Sequence, residues 1–359
     1  YPDEFGAAFC WAGGTGEIPK KMKSVSLIIP NWNGADLLRC YLPSVMDAKE
    51  KYSGQAQVIV VDDASTDRSV DILREEFSEV QLIVHEQNKG FGNACWSGAL
   101  AADHPVLIFL NSDVKVDPEF IEPLAACFEN QAIFAASPLI FDESGRLSDV
   151  TISIPYFRRG KLRYRSFPPE QLLTGTPPLP HPWYTLFPIG GAFAVDRERF
   201  IELQGFDDMF NPFYYEDTDL GFRAWRRGWP CIVVPESRVV HIHQGTIARS
   251  FKRFKVDAIR KRNRLLYLWK NLTSPKLFWQ HVGYQLLRLG YRPLCLDGMT
   301  HIATFLAIPG FMKAMRRRRA ERSAAVYSEE EIFQIINSAS LKNLQLVETT
   351  SFSTIQPGD

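Results

Sequence analysis

The chain has 359 residues, in which 41 Lys and Arg side chains balance 41 Asp and Glu side chains. A formal net charge of zero argues against a surface that binds nucleic acid, so no nucleic-acid partner is expected. Hydrophobic residues make up 45% of the chain, which is typical of a globular protein with a substantial core. The length suits one large domain or two modest ones.

The cysteines and the composition bear on cellular location. No two of the six cysteines form a CxxC pair, so we expect reduced thiols in a cytosolic protein and neither a disulfide framework nor a zinc site. Residues 1–23 lack the pattern of a signal peptide, and no apolar run approaches a membrane span, so a cytoplasmic protein with at most peripheral membrane contact is predicted. The cysteines are Cys10, Cys40, Cys95, Cys127, Cys231 and Cys295.

Strand-like and helix-like segments alternate through the first third of the chain. Their order predicts parallel βαβ units, with apolar strands that are buried on both faces. We therefore predict an α/β fold, in which helices flank a mixed, mainly parallel sheet of the nucleotide-binding kind. Strands are predicted at residues 25–30, 56–61, 81–84 and 106–110, and helices at 34–46, 69–77 and 88–102.

Acidic side chains follow the second predicted strand. Asp62 and Asp63 stand where the loops of such sheets bind ligands, and a carboxylate there can accept hydrogen bonds from a base or a ribose. The alternative is that Asp63, Ser65 or Thr66 caps the following helix. Because the chain has no GxGxxG or Walker A motif, dinucleotide and P-loop chemistry are not expected.

The fourth predicted strand runs directly into Asn111-Ser112-Asp113. Alternation along an extended segment puts the side chains of Asn111 and Asp113 on one side, from which both can reach one divalent cation. The same three residues are also common in plain turns. Further on, a strand predicted over residues 238–243 presents His241 and His243 on one face, and imidazole suits an ion such as Mn²⁺.

The middle of the chain is less regular. Residues 148–182 are rich in proline and arginine, which indicates a lid, an acceptor-binding loop or a plain insertion. A strand predicted over residues 187–195 contains Gly190 and Gly191, where a ligand can approach the backbone closely.

Three carboxylates, on Glu216, Asp217 and Asp219, open a predicted helix that ends at Gly228. Acids in a first turn also complement the helix dipole, so an ordinary structural role is the alternative. The preceding aromatic run, residues 212–215, is expected to desolvate them, which raises a carboxyl pKa and prepares a general base.

The C-terminal third is basic and amphipathic. A helix is predicted over residues 251–269, and its positive charges indicate either a solvated face or a surface for a diphosphate or an anionic membrane. Residues 277–315, followed by four arginines at 316–319, suit helices on a bilayer surface or a partner interface. From residue 323 onward we expect a polar, mobile tail with one helix at 329–337.

Several short motifs occur together and in order: residues 25–30, Val58-Ile-Val-Val-Asp-Asp-Ala-Ser-Thr-Asp67, Asn88-Lys-Gly-Phe91, Phe109-Leu-Asn-Ser-Asp113, Gly190-Gly-Ala192, Gly205-Phe-Asp207, Glu216-Asp-Thr-Asp-Leu220 and Val240-His241. This combination resembles the family 2 glycosyltransferases of the GT-A fold, especially their rhamnosyltransferase and galactofuranosyltransferase branch. The resemblance covers residues 24–269.

The resemblance implies roles for individual residues. Asp62 would contact the nucleotide base, and Asp113 and His241 would bind the Mn²⁺ or Mg²⁺ that bridges the donor diphosphate, with Asn111 in place of the first acid of a stricter DxD motif. Asp217 would be the general base, paired with Glu216. The other implied nucleotide-binding residues are Pro30, Asn31, Asp63, Asn88, Gly90, Asn111 and Ser112, and the acceptor or diphosphate residues are Gly190, Gly191, Asp219, Arg262 and Arg264.

These inferences predict an inverting, metal-dependent glycosyltransferase. It would move a sugar such as rhamnose from a dTDP- or UDP-sugar donor to a glycan or lipid-linked acceptor in cell-surface polysaccharide synthesis. Processive polysaccharide synthases of the family that the chain resembles carry a Gln-x-x-Arg-Trp motif, and its absence here favours the addition of one or a few sugars. A non-catalytic sugar-nucleotide-binding or scaffold protein and a nucleotidyltransferase are the alternatives.

The same inferences divide the chain. They predict an N-terminal arm (1–23), a nucleotide-sugar-binding half (24–113), an acceptor-binding half (114–248), a basic helical extension (249–322) and a polar tail (323–359).

Overall fold

The computed structural model describes residues 22–148, 151–165, 182–242, 252–291 and 298–353. Its strands are β1 (Val25–Asn31), β2 (Ala56–Asp62), β3 (Gln81–Val84), β4 (Val106–Leu110), β5 (Val114–Val116), β6 (Ala135–Phe141), β7 (Ile154–Arg158), β8 (Lys161–Arg165), β9 (Trp183–Thr185), β10 (Ala192–Asp196) and β11 (Cys231–His241). Its α-helices are α1 (Ala35–Lys51), α2 (Ser69–Glu76), α3 (Phe91–Ala101), α4 (Ile121–Cys127), α5 (Arg197–Glu202), α6 (Glu216–Arg226), α7 (Arg253–Asn271), α8 (Pro275–Tyr291), α9 (Gly298–Ala307), α10 (Phe311–Ser323) and α11 (Glu329–Ser353).

One mixed sheet organises these elements. Its strands lie in the order β3-β2-β1-β4-β10-β6-β11-β5, and β9 pairs with β11. β1, β2, β3, β4, β6 and β11 run in the same direction, whereas β10 is antiparallel to both of its neighbours. The predicted α/β class, with a mainly parallel sheet between helices, is confirmed.

The strand order explains why the polar residues that follow β1, β2 and β4 lie at one edge of the sheet. From β1 the chain moves outward to β2 and β3 and then returns to β4 on the other side of β1. This reversal creates a crevice at the carboxyl ends of β1 and β4, which is where open α/β sheets bind ligands. The strands themselves are buried on both faces because their runs are apolar, with Ile28, Ile59 and Ile108 all 0% exposed.

Several local expectations differ from the structure. Part of the region expected to be irregular forms the antiparallel hairpin β7–β8. The strand expected at 238–243 is the end of the longer strand β11, which begins at Cys231 and has an irregular register between Val234 and Arg238. The glycine pair at 190–191 precedes β10 rather than lying within it. His243 and residues 1–21 lie outside the described residues.

The C-terminal end also differs from expectation. The helix predicted to end at residue 337 continues to Ser353, and Ile332 and Ile336 on it are fully buried. The residues after 323 were expected to form a mobile tail because their composition is polar, but the apolar residues within them lie on one helical stripe and join the core.

The cysteines in the described part of the chain are free thiols. Cys95, Cys127 and Cys231 are buried free thiols and Cys40 is an exposed one, as expected of reduced cysteines; Cys10 and Cys295 lie outside the described residues. Within the described part of the chain, no helix combines the length and the apolar character that crossing a membrane requires.

Candidate functional site

The carboxyl ends of β1 and β2 carry a buried polar pair. Asn31 lies opposite Asp62 in the parallel register, and its Nδ2 donates to Asp62 Oδ2 at 2.9 Å. The other oxygen, Asp62 Oδ1, accepts from the backbone N–H of Ser65 at 2.9 Å. Both side chains are at most 2% exposed, so the pair is fixed in position at the edge of the crevice.

One oxygen of this pair has no hydrogen-bond partner among the described residues. This atom, Asn31 Oδ1, is buried. A Cβ atom at Gly34 would stand 2.3 Å from that oxygen and 3.4 Å from Ser112 Oγ, so Asn31 Oδ1 lies directly against Gly34 with Ser112 close by, and only glycine fits there. Buried polar atoms are normally paired, and an orphan at the switch point is consistent with a ligand that donates a hydrogen bond there. Pro30 precedes Asn31 on the same strand.

Asp63 binds a neighbouring loop, whereas Asp62 binds Asn31. Asp63 lies 2.7 Å from His85 Nδ1 and accepts from the backbone N–H groups of Lys89 and Gly90 at 2.9 and 2.7 Å. Asp63 therefore organises the loop before α3, in which Gly90 has a φ of +86° and Asn88 is exposed. The expected helix cap is wrong, because Asp67 rather than Asp63, Ser65 or Thr66 accepts from the N–H of Ser69.

His85 was missed by sequence reasoning. It follows β3 directly, at the same sheet edge as Asp62, and its Nε2 lies 2.8 Å from Ser97 Oγ on α3. The position of a histidine immediately after a strand was the available signal.

Asp113 and His241 form the candidate metal centre. Their Oδ1 and Nε2 atoms are 3.1 Å apart, although the residues are separated by 128 positions in the sequence. The antiparallel pairing of β5 with β11 brings them together, since His241 lies opposite Val114 and the N–H of Ile242 donates to Asp113 O at 3.0 Å. The sequence-predicted pair is thus adjacent in space.

A carboxylate beside an imidazole fits a divalent cation such as Mn²⁺. The described residues contain no cluster of three or more His, Cys, Asp or Glu side chains that could hold a metal alone. A cation at Asp113 and His241 would therefore need further oxygen ligands from a substrate or from water. Asn111 lies in this segment, and its N–H donates to Gly191 O at 2.9 Å.

The acid pair opens α6. Asp217 Oδ2 accepts from the N–H of Gly190 at 3.0 Å, and its Oδ1 accepts from the N–H and Oγ1 of Thr218 at 2.6 and 3.1 Å. Burial raises the pKa of Asp217, and these hydrogen bonds oppose the rise because they stabilise the charged form.

Glu216 lacks comparable support. Its Oε2 is buried and has no hydrogen-bond partner among the described residues. Burial, with the nearby charge of Asp217 adding to it, raises the pKa of Glu216 to about 8. Phe91, Phe206 and Phe213 line a small cleft with Glu216, so the desolvation comes partly from α3 and from the segment before α6, and not only from the expected run at 212–215.

The glycine pair joins the two halves of this site. Gly190 donates to Asp217, and a Cβ at Gly191 would stand 3.0 Å from His241 Nδ1. One side of a two-residue backbone segment thus holds the candidate base, and the other faces the candidate metal ligand. A ligand was expected to approach the backbone closely at these glycines. In the structure, the side chains of Asp217 and His241 make that close approach.

Three predicted site residues lie apart from this group. Asp219 is 0% exposed and bonds to Arg223 and to Lys270, each at 2.7 Å, because two positions along a helix turn its side chain to the opposite side from Asp217. Arg262 donates to Asn211 O at 2.5 Å and Arg264 to Leu162 O at 3.1 Å. The structure gives Asp219 a role in the core instead of the expected contact with substrate.

Asn263 holds the segment before α6 in position, a role that sequence reasoning did not predict. It is fully buried on α7, and its Nδ2 donates to the carbonyl oxygens of Phe210, Phe213 and Tyr214 at 2.6, 2.9 and 2.9 Å. These bonds hold the segment that leads into Glu216, in which Tyr214 and Tyr215 have positive φ angles. The polar residue amid the arginines of α7 was the available signal.

The chain matches two family models. Residues 26–187 match "Glycosyl transferase family 2", and residues 182–326 match "Glycosyl transferase family group 2". The two matches overlap at residues 182–187, and together they span the residues that carry Asn31, Asp62, Asp113, the acid pair and His241. The chain is thus similar to the family 2 glycosyltransferases over this range.

Curated relatives are enzymes of sugar transfer. Polypeptide N-acetylgalactosaminyltransferase 16 of Homo sapiens is 28% identical over 192 residues, which are 52% of this chain and 34% of the relative. Polypeptide N-acetylgalactosaminyltransferase 11 of Xenopus tropicalis is 29% identical over 236 residues, which are 62% of this chain and 39% of the relative. The chain thus spans little more than a third of the length of these relatives.

Solved structures share the fold. GalNAc-T7, described with UDP, GalNAc and Mn²⁺, superposes with a TM-score of 0.52 at 18% identity over 77% of this chain and 58% of its own. The mannosyltransferase PcManGT from Pyrobaculum calidifontis, described with GDP-Man and Mn²⁺, gives a TM-score of 0.50 at 15% identity over 91% and 88%. These likenesses confirm a glycosyltransferase fold of the GT-A type.

Proposed function

We propose that this protein is an inverting, metal-dependent glycosyltransferase that moves a sugar from a nucleoside-diphosphate sugar to an acceptor hydroxyl group. The observation that carries the proposal is the glycine pair, which places Asp217 on one side and His241, with Asp113 beside it, on the other. Sugar transfer requires a base for the acceptor and charge stabilisation for the leaving diphosphate, and the two groups supply these functions.

Asp217 is the proposed general base. Glu216 is the proposed holder of the proton of the acid pair because its buried Oε2 has no hydrogen-bond partner among the described residues, whereas Asp217 accepts from two N–H groups and is the proposed ionised member. The N–H groups of Gly190 and Thr218 fix the carboxylate in one orientation. An ionised, half-buried carboxylate can accept the proton of an attacking hydroxyl, and a single base is consistent with direct displacement and inversion.

Asp113 and His241 would hold the divalent cation. When bound, a divalent cation neutralises charge that develops on the departing diphosphate. The structures of GalNAc-T7 and PcManGT are described with Mn²⁺, which supports a divalent metal without separating Mn²⁺ from Mg²⁺. The chain's own imidazole favours Mn²⁺.

Asn31, Asp62 and Ser112 would receive the nucleotide. Asp62 is held at the crevice by Asn31, whose free Oδ1 can accept a hydrogen bond from a base. The structure of GalNAc-T7 contains UDP and that of PcManGT contains GDP-Man, and the curated relatives are named polypeptide N-acetylgalactosaminyltransferases. UDP is therefore the first nucleotide to test beside dTDP, and a polypeptide is a second acceptor class beside the glycan or lipid-linked saccharide that we propose. Rhamnose as the sugar, a role in cell-surface polysaccharide synthesis, and a cytoplasmic location with peripheral membrane contact stay predictions.

The test combines donor binding with turnover. We expect one of UDP, dTDP, GDP and CDP to raise the melting temperature only when Mn²⁺ is present, because a ligand of the folded state stabilises it. Asp217→Asn should retain that shift and lose transfer by about 10²- to 10⁴-fold, as expected for removal of a general base. Transfer is measured as release of nucleoside diphosphate with a panel of glycan, lipid-linked and peptide acceptors, and inversion by NMR of the product anomer.

Glu202→Gln is the matched control, since Glu202 is an exposed acid at the end of α5. Glu202→Gln should change neither the nucleotide-dependent shift in melting temperature nor the rate of transfer. Full transfer by Asp217→Asn would remove Asp217 as the base. Absence of a shift with all four nucleotides in folded wild-type protein would overturn the glycosyltransferase proposal in favour of a scaffold.

A further inference from the structure

A cationic cleft lies between the β7–β8 hairpin and the helices α7, α8 and α9. Its volume is about 270 Å³. No acidic side chain is among the described residues that line it, so the cleft favours an anion. The basic side chains in its wall are Lys161, Arg163, Lys261, Arg264 and Arg288.

A buried histidine in the wall of the cleft has one nitrogen without a protein partner. His281 is 1% exposed, and its Nδ1 donates to Gly160 O at 3.0 Å, which leaves Nε2 with no hydrogen-bond partner among the described residues. Burial lowers the pKa of His281, which favours the neutral ring in the free protein. An anion in the cleft would favour the charged ring, whose Nε2–H can donate to it. Because buried polar atoms are normally satisfied, this nitrogen points to a ligand.

The cleft is tightly built where the hairpin meets α8. Gly160 has a φ of +73°, and a Cβ there would stand 2.4 Å from Tyr284 Cβ and 2.5 Å from Gln280 O. Lys161 Nζ lies 4.6 Å from the centre of the Tyr284 ring, and Arg264 donates to Leu162 O. These contacts hold two of the cations in place, so the cleft is preorganised and not simply a group of surface charges.

The wall of the cleft and the candidate base share two neighbours. Arg264, in the wall, and Asp217 both act electrostatically on Tyr164 and Tyr215. Tyr164 belongs to the hairpin that borders the cleft, and Tyr215 directly precedes α6, which carries Asp217, so a ligand held in the cleft is near the segment that carries the base.

Exposed apolar side chains flank the same helices. Leu286 and Leu287 on α8 are 65% and 76% exposed, and Phe305 on α9 is 74% exposed. These side chains are on helices that line the cleft and are available to an apolar partner. The combination of a cationic cleft and an apolar flank suits an amphipathic molecule with a phosphate group.

We propose that this cleft binds the phosphate or diphosphate group of an amphipathic acceptor and directs the acceptor hydroxyl towards Asp217. The inference rests on the proposed glycosyl transfer for the role of that hydroxyl. The phosphate itself undergoes no reaction, since the cleft supplies only charge and hydrogen-bond donors. The cleft is a different site from the one for the diphosphate of the donor, which a cation at Asp113 and His241 would bind.

The first test measures anion binding without metal or nucleotide. Calorimetry with inorganic pyrophosphate should show binding to the wild-type protein, and the double variant Arg163→Ala/Lys261→Ala should weaken it by about tenfold or more, because two charge-assisted contacts are lost. The control Lys51→Ala/Arg74→Ala removes two exposed cations outside the cleft and should leave the affinity unchanged. Absence of pyrophosphate binding, or equal loss in the control, would overturn the proposal.

The second test identifies the source of the phosphate. Phosphatidylcholine vesicles containing a polyprenyl phosphate should bind the protein more tightly than vesicles with an equal molar fraction of phosphatidylglycerol. Equal binding to both would show attraction to any anionic bilayer and overturn the acceptor assignment. The cleft variant should retain the Mn²⁺-dependent nucleotide shift, so failure of donor binding in the wild-type protein would defeat the proposed function separately from the cleft.

Discussion

At the scale of single residues, Glu216 and Asp217 show how surroundings separate two similar acids. Asp217 accepts hydrogen bonds from Gly190 and Thr218, whereas Glu216 Oε2 is buried without a partner in the described structure. The first arrangement stabilises a charge and the second opposes one. The pair can therefore carry one proton and one negative charge at neutral pH, as a base and its neutral neighbour.

This difference predicts a pH effect on stability. The folded-state pKa of Glu216, about 8, lies above its ordinary value of 4.5, so its contribution to stability is complete below about pH 4.5 and is lost as the pH rises through about 8. Glu216→Gln stays neutral throughout. We expect its stability relative to wild type to rise from about pH 5 to about pH 8, by at most about 1.4 kcal/mol per pH unit, and then to level off.

Chemical denaturation across that pH range measures the effect. Glu202→Gln, at an exposed acid, should follow the wild-type curve at every pH. A constant difference between Glu216→Gln and wild type would contradict the raised pKa of Glu216.

At the scale of elements, α3 lies unusually close to the sheet that carries the crevice. A Cβ at Gly98 would stand 2.4 Å from Ile28 Cγ2 on β1 and 3.2 Å from Val61 Cγ2 on β2. Glycine thus permits a close approach of helix to strand, at some cost in helix propensity. The approach also holds Ser97 of α3 against His85, which supports Asp63 and the loop at Gly90.

Gly98→Ala should therefore destabilise the protein by about 1–3 kcal/mol, because the added methyl group has no room between the helix and the sheet. Gly283→Ala is the matched control, since nothing lies within 4 Å of a Cβ at that position on α8. The control should gain up to about 1 kcal/mol from helix propensity. Thermal unfolding compares the two, and stabilisation by both substitutions would refute the close packing of α3.

At the scale of the whole molecule, the last helix completes the core. Ile332, Phe333 and Ile336 of α11 are buried, and Asn337 Nδ2 donates to Pro155 O on β7 at 2.8 Å. At its start, Glu329 Oε1 lies 3.4 Å from Nη2 of the fully buried Arg226, which ends α6. The C-terminal segment thus stabilises the helix that opens with the acid pair.

Ile336→Ala should lower the free energy of unfolding by about 2–5 kcal/mol, since it removes buried methyl groups and leaves a cavity. Leu341→Ala on the same helix makes a truncation of equal size at a side chain that is 55% exposed, and should stay within about 0.5 kcal/mol of wild type. Urea denaturation distinguishes the two. Similar small effects for both would mean that α11 does not pack on the core in solution.

Local sequence patterns were sufficient for the first parallel strands and for the candidate ligand-binding edge, although not for the β7–β8 hairpin or the length of α11. The apolar runs of β1, β2 and β4 predict buried parallel strands, and the polar residues that follow them, Asn31, Asp62 and Asn111-Ser112-Asp113, are placed at one sheet edge by the direction of the chain alone. The first-turn acids of α6 were recognisable for the same reason, because helix starts and strand ends are encoded by neighbouring residues.

Only the tertiary structure decided which of these side chains meet. The pairing of β5 with β11 brings Asp113 to His241 across 128 positions, and the Gly190 N–H selects Asp217 while the rotation of α6 withdraws Asp219 to Lys270. The same is true of α11, whose polar composition concealed a buried stripe. Contacts of this kind depend on the packing of elements that are far apart in the chain, and local periodicity carries no record of their partners.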